Sequence, residues 1–80
     1  MNYDIDTHEG MANAVRWTEQ LFAHMNEGGK WIVPRSGTLV TVHKKHKTVD
    51  IYEGDKPDPS IARVIRAMGW TVYFVQDAHL

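Results

Sequence analysis

Apolar side chains recur along the N-terminal third at the spacing of one helical face: Met11, Ala14, Val15, Leu21, Phe22 and Met25, with Thr18 completing the stripe. The pattern predicts a helix over about 8–27. Asp6 followed by Glu9 has the spacing of a capping box, and acids here suit the positive end of the helix dipole. Gly28-Gly29 supplies the left-handed residue expected to close the helix. Gly10 falls within the first turn, where its helix cost matters least.

The pattern then changes period. Trp31, Ile32 and Val33 form a short apolar run stopped by Pro34, and Arg35-Ser36-Gly37 reads as a turn. From Thr38 to Lys44 the chain alternates, with Val40 and Val42 on one face and Leu39, Thr41 and His43 on the other. Lys45-His46-Lys47 makes a loop without the Asn-Gly that a tight primed turn prefers. Thr48 to Glu53 alternates again, with Val49 and Ile51 set for the core against Asp50 and Tyr52. Gly54 and Asp55 end it. The expectation is a twisted antiparallel hairpin with the 31–34 strand beside it.

Lys56-Pro57-Asp58-Pro59 leads into a second helix, with Asp58 as N-cap and Pro59 as first helical residue. Ile61, Val64, Ile65 and Met68 give it a buried stripe and Gly69 closes it. Trp70 to Val75 reads as a last strand, apolar on both faces. Such a strand is either central and covered or lies at an interface. The fold class is therefore α+β: a single small domain over 1–80, in the order α-β-β-β-α-β, an antiparallel sheet with two helices packed on it. Leu21, Phe22, Val42, Ile51, Ile65 and Val72 form the expected core cluster.

Composition narrows the function classes. Eighty residues bury only about 60% of the surface an unfolded chain exposes, so the stability margin is thin. Apolar residues at 42% and charged residues at 24% exclude a disordered tail. No apolar run approaches the length of a membrane span, the N-terminus lacks a signal-peptide pattern, and no membrane partner is expected. With no cysteine there is neither a disulfide framework nor a thiolate metal site, and a cytoplasmic location is the simplest reading.

No chemistry-bearing motif emerges. The two serines, Ser36 and Ser60, sit in a turn and at a helix start, outside any nucleophile elbow, and no phosphate-cradling glycine pattern occurs. His43 and His46 are spaced for a metal, but the neighbouring lysines put positive charge where a cation would sit. The chain reads as a non-enzyme with no cofactor and no metal.

Charge is segregated although the net is −1. The first 29 residues hold five acids against Arg16 alone. Lys30, Arg35, Lys44, Lys45 and Lys47 then follow with no acid between them. These cations, interleaved with Trp31, could neutralise phosphates while a two-stranded ribbon entered a groove, which makes DNA or RNA binding through residues 30–47 one reading. A slightly acidic chain argues against it, since nucleic-acid modules are usually strongly basic.

Protein binding fits the composition better. Three Trp and three Tyr exceed what so small a core can hold, and exposed aromatics and cations are the usual hot-spot residues. The candidate partner-binding residues are Trp17, Lys30, Trp31, Arg35, Lys44, Lys45, Lys47 and Tyr73, with Tyr3 a further aromatic candidate. Trp17 falls beside the main stripe of its helix, where it can equally be a core boundary residue. Neutralising Lys44, Lys45 and Lys47 is expected to leave folding nearly untouched. The last strand also suggests a homodimer that buries Tyr73 and Val75.

In its general make, one compact, aromatic-rich α+β unit with polarised charge and no catalytic motif, the chain resembles the small accessory proteins of bacteriophages. That resemblance implies a stoichiometric inhibitor or adaptor of a larger host protein or nucleoprotein assembly.

Overall fold

A computed structural model of the protein describes residues 3–34, 36–53 and 59–75. Residues 1–2, Arg35, the 54–58 segment that holds the expected cap Asp58, and residues 76–80 lie outside the described residues. The elements are α1 (His8–His24), β1 (Gly29–Ile32), β2 (Leu39–His43), β3 (Thr48–Tyr52), α2 (Pro59–Ala67) and β4 (Thr71–Phe74). The predicted α-β-β-β-α-β order stands, with Pro59 opening α2.

Both ends of α1 differ from the sequence reading. Thr7 is its N-cap, and its Oγ1 accepts from the Gly10 amide at 2.9 Å. Asp6 instead pairs with Arg63 of α2 at 3.2 Å, tying the helix entry to the second helix. A hydroxyl one residue later reaches the N3 amide as well as a carboxylate does, but N3 is then Gly10, so the N-cap bond forms without the reciprocal glutamate bond of the expected capping box. At the other end α1 stops at His24, and Gly28, at φ +75°, serves the Asn26–Gly29 turn into β1. The glycine pair thus launches a strand instead of closing the helix, and β1 starts two residues earlier than the apolar run suggests.

Four strands form one sheet in the order β1-β2-β3-β4. β1–β2 and β2–β3 are antiparallel hairpins, as expected. β4 departs from that expectation by joining β3 in parallel. The reason is the connection: a helix-length segment between two strands carries the chain back to the starting end of the sheet, which only a parallel neighbour can use. Gly69 closes α2 with the paired bonds of a Schellman ending, Gly69 N–H to Arg66 O at 2.9 Å and Trp70 N–H to Ile65 O at 3.4 Å.

Both helices cover the same face of the sheet. Phe22, Val33, Val40, Val42, Val49, Ile51, Ala62 and Ile65 are buried there in one cluster, and Leu21 and Val72 pack against it half-buried. All three tryptophans gather on this side. Trp31 lies 6.2 Å from Phe22 and 5.8 Å from Trp17, and Trp70 lies 5.2 Å from Phe22, ring centre to ring centre. These tilted and edge-on arrangements are the favourable ones for aromatic quadrupoles. Among the described residues nothing is laid over the second, bare face of the sheet.

Candidate functional site

Strand alternation decides what the bare face carries. Cα partners in neighbouring strands share a face, so the ladders define rows across it. One row runs Ile32–Leu39–Tyr52 across β1, β2 and β3. The next runs Lys30–Thr41–Asp50–Tyr73 across all four strands, and the third His43–Thr48–Thr71. No helix lies over these rows among the described residues.

The first row is apolar and open to solvent. Ile32 is 63% exposed and Tyr52 38%, with Leu39 half-buried between them. Tyr73, at 54%, stands at the far end of the second row. A β-branched aliphatic at this exposure contributes little to the fold, because the hydrophobic contribution scales with the area removed from water. Ile32 and Tyr52 are not among the sequence candidates. The signal is nonetheless in the chain: Ile32 alternates with Trp31 and Val33, so once those two face the core, Ile32 must face away.

The polar part of the face is internally paired. His43 Nε2 lies 3.0 Å from Asp50 Oδ2, and its Nδ1 lies 3.9 Å from Glu27 Oε1. This pairing joins two strands and the α1–β1 turn. Among the same residues no group of three or more His, Cys, Asp or Glu is placed to hold a metal.

The basic block is dispersed by the fold. Lys44 Nζ donates to the carbonyls of Ala23 at 3.1 Å and Met25 at 3.0 Å, so its charge satisfies the C-terminal end of α1. The Lys45 amide donates to Glu27 Oε2 at 2.9 Å, which places a carboxylate inside the supposed basic ribbon. Lys47 is exposed and holds a left-handed backbone at φ 54°, completing the four-residue turn that lacks a glycine. Lys30 lies on the bare face, opposite Thr41. Arg35 lies outside the described residues.

The aromatic candidates divide in the same way. Trp17 and Trp31 are half-buried against each other on the helix side, as core-boundary residues, and Tyr3 is half-buried near the N-terminus. Tyr73 stands on the bare face. The candidates therefore form no single patch: Lys30 and Tyr73 share the bare face with Ile32, Leu39 and Tyr52, while Trp17, Trp31 and Lys44 support the fold. No family model, no curated protein and no solved structure matches this chain.

Proposed function

We propose that this chain is a non-catalytic binding protein that docks on a larger protein through its helix-free sheet face and modulates it. The Ile32–Leu39–Tyr52 row carries the reading, since it presents apolar area that the fold itself does not use. Its surroundings suit an interface: the apolar row lies at one end of the face and the next row carries Lys30 and Asp50, whose charges orient a partner more than they add affinity. The resemblance to phage accessory proteins extends the reading to a host protein as the target, bound stoichiometrically.

The experiment is affinity capture from a bacterial lysate with the wild type and with an Ile32→Glu/Tyr52→Glu variant, under matched folding by circular dichroism. Docking predicts a defined protein retained by the wild type and lost with the variant. A parallel titration with DNA and RNA at rising salt separates the ribbon reading. Binding there with a steep salt slope, abolished by Lys30→Gln/Lys45→Gln/Lys47→Gln and untouched by the face variant, would replace this proposal.

A further inference from the structure

The sheet ends in two edges, and they are built differently. On β1 the amide of Val33 donates to Thr38 O at 2.8 Å, so alternation turns the backbone of Lys30 and Ile32 outward. A lysine stands on that edge and Pro34 follows it, both of them devices that blunt an edge against further pairing. On β4 the Thr71 amide donates to Lys47 O at 3.0 Å and the Val75 amide to Ile51 O at 2.9 Å. The same alternation turns the N–H and C=O of Val72 and Phe74 outward. The strand Thr-Val-Tyr-Phe carries no charge and no proline, and Tyr73 and Phe74 are half exposed.

We propose that β4 pairs antiparallel with β4 of a second copy across a two-fold axis at Tyr73, joining two sheets into one of eight strands. The register follows from the backbone. Outward groups must meet outward groups, and centring the axis on Tyr73 sets Val72 opposite the partner's Phe74 and Phe74 opposite the partner's Val72. Each of these equivalent pairs exchanges two hydrogen bonds. Their side chains lie on the helix-covered face, as apolar cross-strand pairs. Tyr73 meets the partner's Tyr73 on the bare face, in the closer, non-hydrogen-bonded type of pair.

The sequence about the axis is self-complementary, apolar–aromatic–apolar, and this selects a second copy over an unrelated extended segment. Arg66 of α2 stands over the Phe74 ring, 5.7 Å from its centre. A β1–β1 seam would instead bring Lys30 into every pairing.

This inference concerns the edge and stands independently of the docking reading, but it bears on it. Strands of four or five residues at ~4.8 Å spacing give one bare face a projected area of roughly 300 Å², small beside the ~800 Å² each partner gives a stable interface. Two faces side by side approach that size.

Sedimentation equilibrium of the full chain from about 1 to about 500 µM tests the seam, because mass action shifts the monomer–dimer ratio over that range. The expected result is a mass that doubles from 9.2 kDa with rising concentration. Tyr73→Lys places like charges directly opposite at the axis and should raise the dissociation constant at least about tenfold, with the circular dichroism unchanged. Ile32→Lys, on the other edge, should leave it unaltered. Hydrogen exchange adds a residue-level readout: Val72 and Phe74 amides gain protection with concentration, whereas Thr71 and Val75 are protected throughout. A 9.2 kDa species at every concentration overturns the proposal. So does a dimer indifferent to Tyr73→Lys, or one whose Val72 and Phe74 amides exchange freely. None of these outcomes touches the Ile32–Tyr52 docking test.

Discussion

The Lys44 ammonium sits 3.0 Å from the carbonyl oxygen of Met25, holding the end of α1 to the tip of the β2–β3 hairpin. A second bond to Ala23 O makes this a cation at the negative end of a helix, among carbonyls with no helical partner. The three turn lysines are therefore not equivalent, contrary to what their clustering suggests.

Lys44→Gln should cost about 1 kcal/mol, since a charge-assisted bond to backbone is lost and orphan carbonyls are left to water. Lys45→Gln should stay within about 0.5 kcal/mol, because that residue's tertiary bond uses its backbone amide and survives the change. Urea denaturation of the two single variants checks the contrast, and equal effects would remove the helix-capping role.

Phe22 joins the two sides of the core, touching Trp31 of β1 and Trp70 from the α2–β4 junction. It is 2% exposed, and Ile65 in the same cluster is fully buried. Truncating either to Ala should cost about 3–5 and 2–5 kcal/mol respectively, a large part of the stability of a domain this small. Thermal melts of both variants read this directly.

Gly10 is buried in the first turn of α1, and a Cβ built there would strike the carbonyl group of Asp4. Gly→Ala ordinarily stabilises a helix by about 1 kcal/mol. Here the sign should reverse, with Gly10→Ala destabilising by about 1–2 kcal/mol as the 4–7 turn is pushed off the helix. Asn13→Ala, about one turn along at a half-buried position of the same helix, supplies the reference for a change to alanine without that collision. Thermal melts of the two variants should move in opposite directions, or at least differ by more than the helix propensities alone would give.

Lys47 holds φ 54°, a conformation that costs a side-chain-bearing residue about 1 kcal/mol or more. Lys47→Asn or Lys47→Gly should raise stability by about 0.5 kcal/mol, provided the Lys47 carbonyl keeps its bond from the Thr71 amide. Equilibrium unfolding of the variants gives the sign.

What could be read from the chain and what could not divide along range. The stripe Ala14–Leu21–Phe22 and the alternation Val40–Val42 and Val49–Ile51 are local periodicities, and each lands on the face they indicate. Pro59 and Gly69 mark α2 through their own backbone chemistry. The direction of β4 was not legible, because Thr71–Phe74 reads the same in either orientation and only the α2 crossover chooses. Nor was the use of Lys44, since its partners Ala23 and Met25 lie about twenty positions earlier and meet it only once the hairpin has folded. The bare face was half legible: Leu39, Thr41, Asp50 and Tyr52 alternate out of the core, but their alignment with Ile32 needs the register of two hairpins.

The parallel β3–β4 ladder sets an order of assembly. Hairpin partners such as Val42 and Val49 are seven positions apart, and Gly29 and Val42 thirteen, whereas Thr48 finds Thr71 only after twenty-three. Closing the longer loop costs more chain entropy before any bond rewards it, so the three-stranded meander is expected to form before β4 docks. An element that docks last in the longest loop is also the one released by the smallest opening. Each such release uncovers the backbone of β3 along Val49 and Ile51, a strand edge flanked by core side chains. Amide exchange along β3 is therefore expected to follow how quickly that final strand returns.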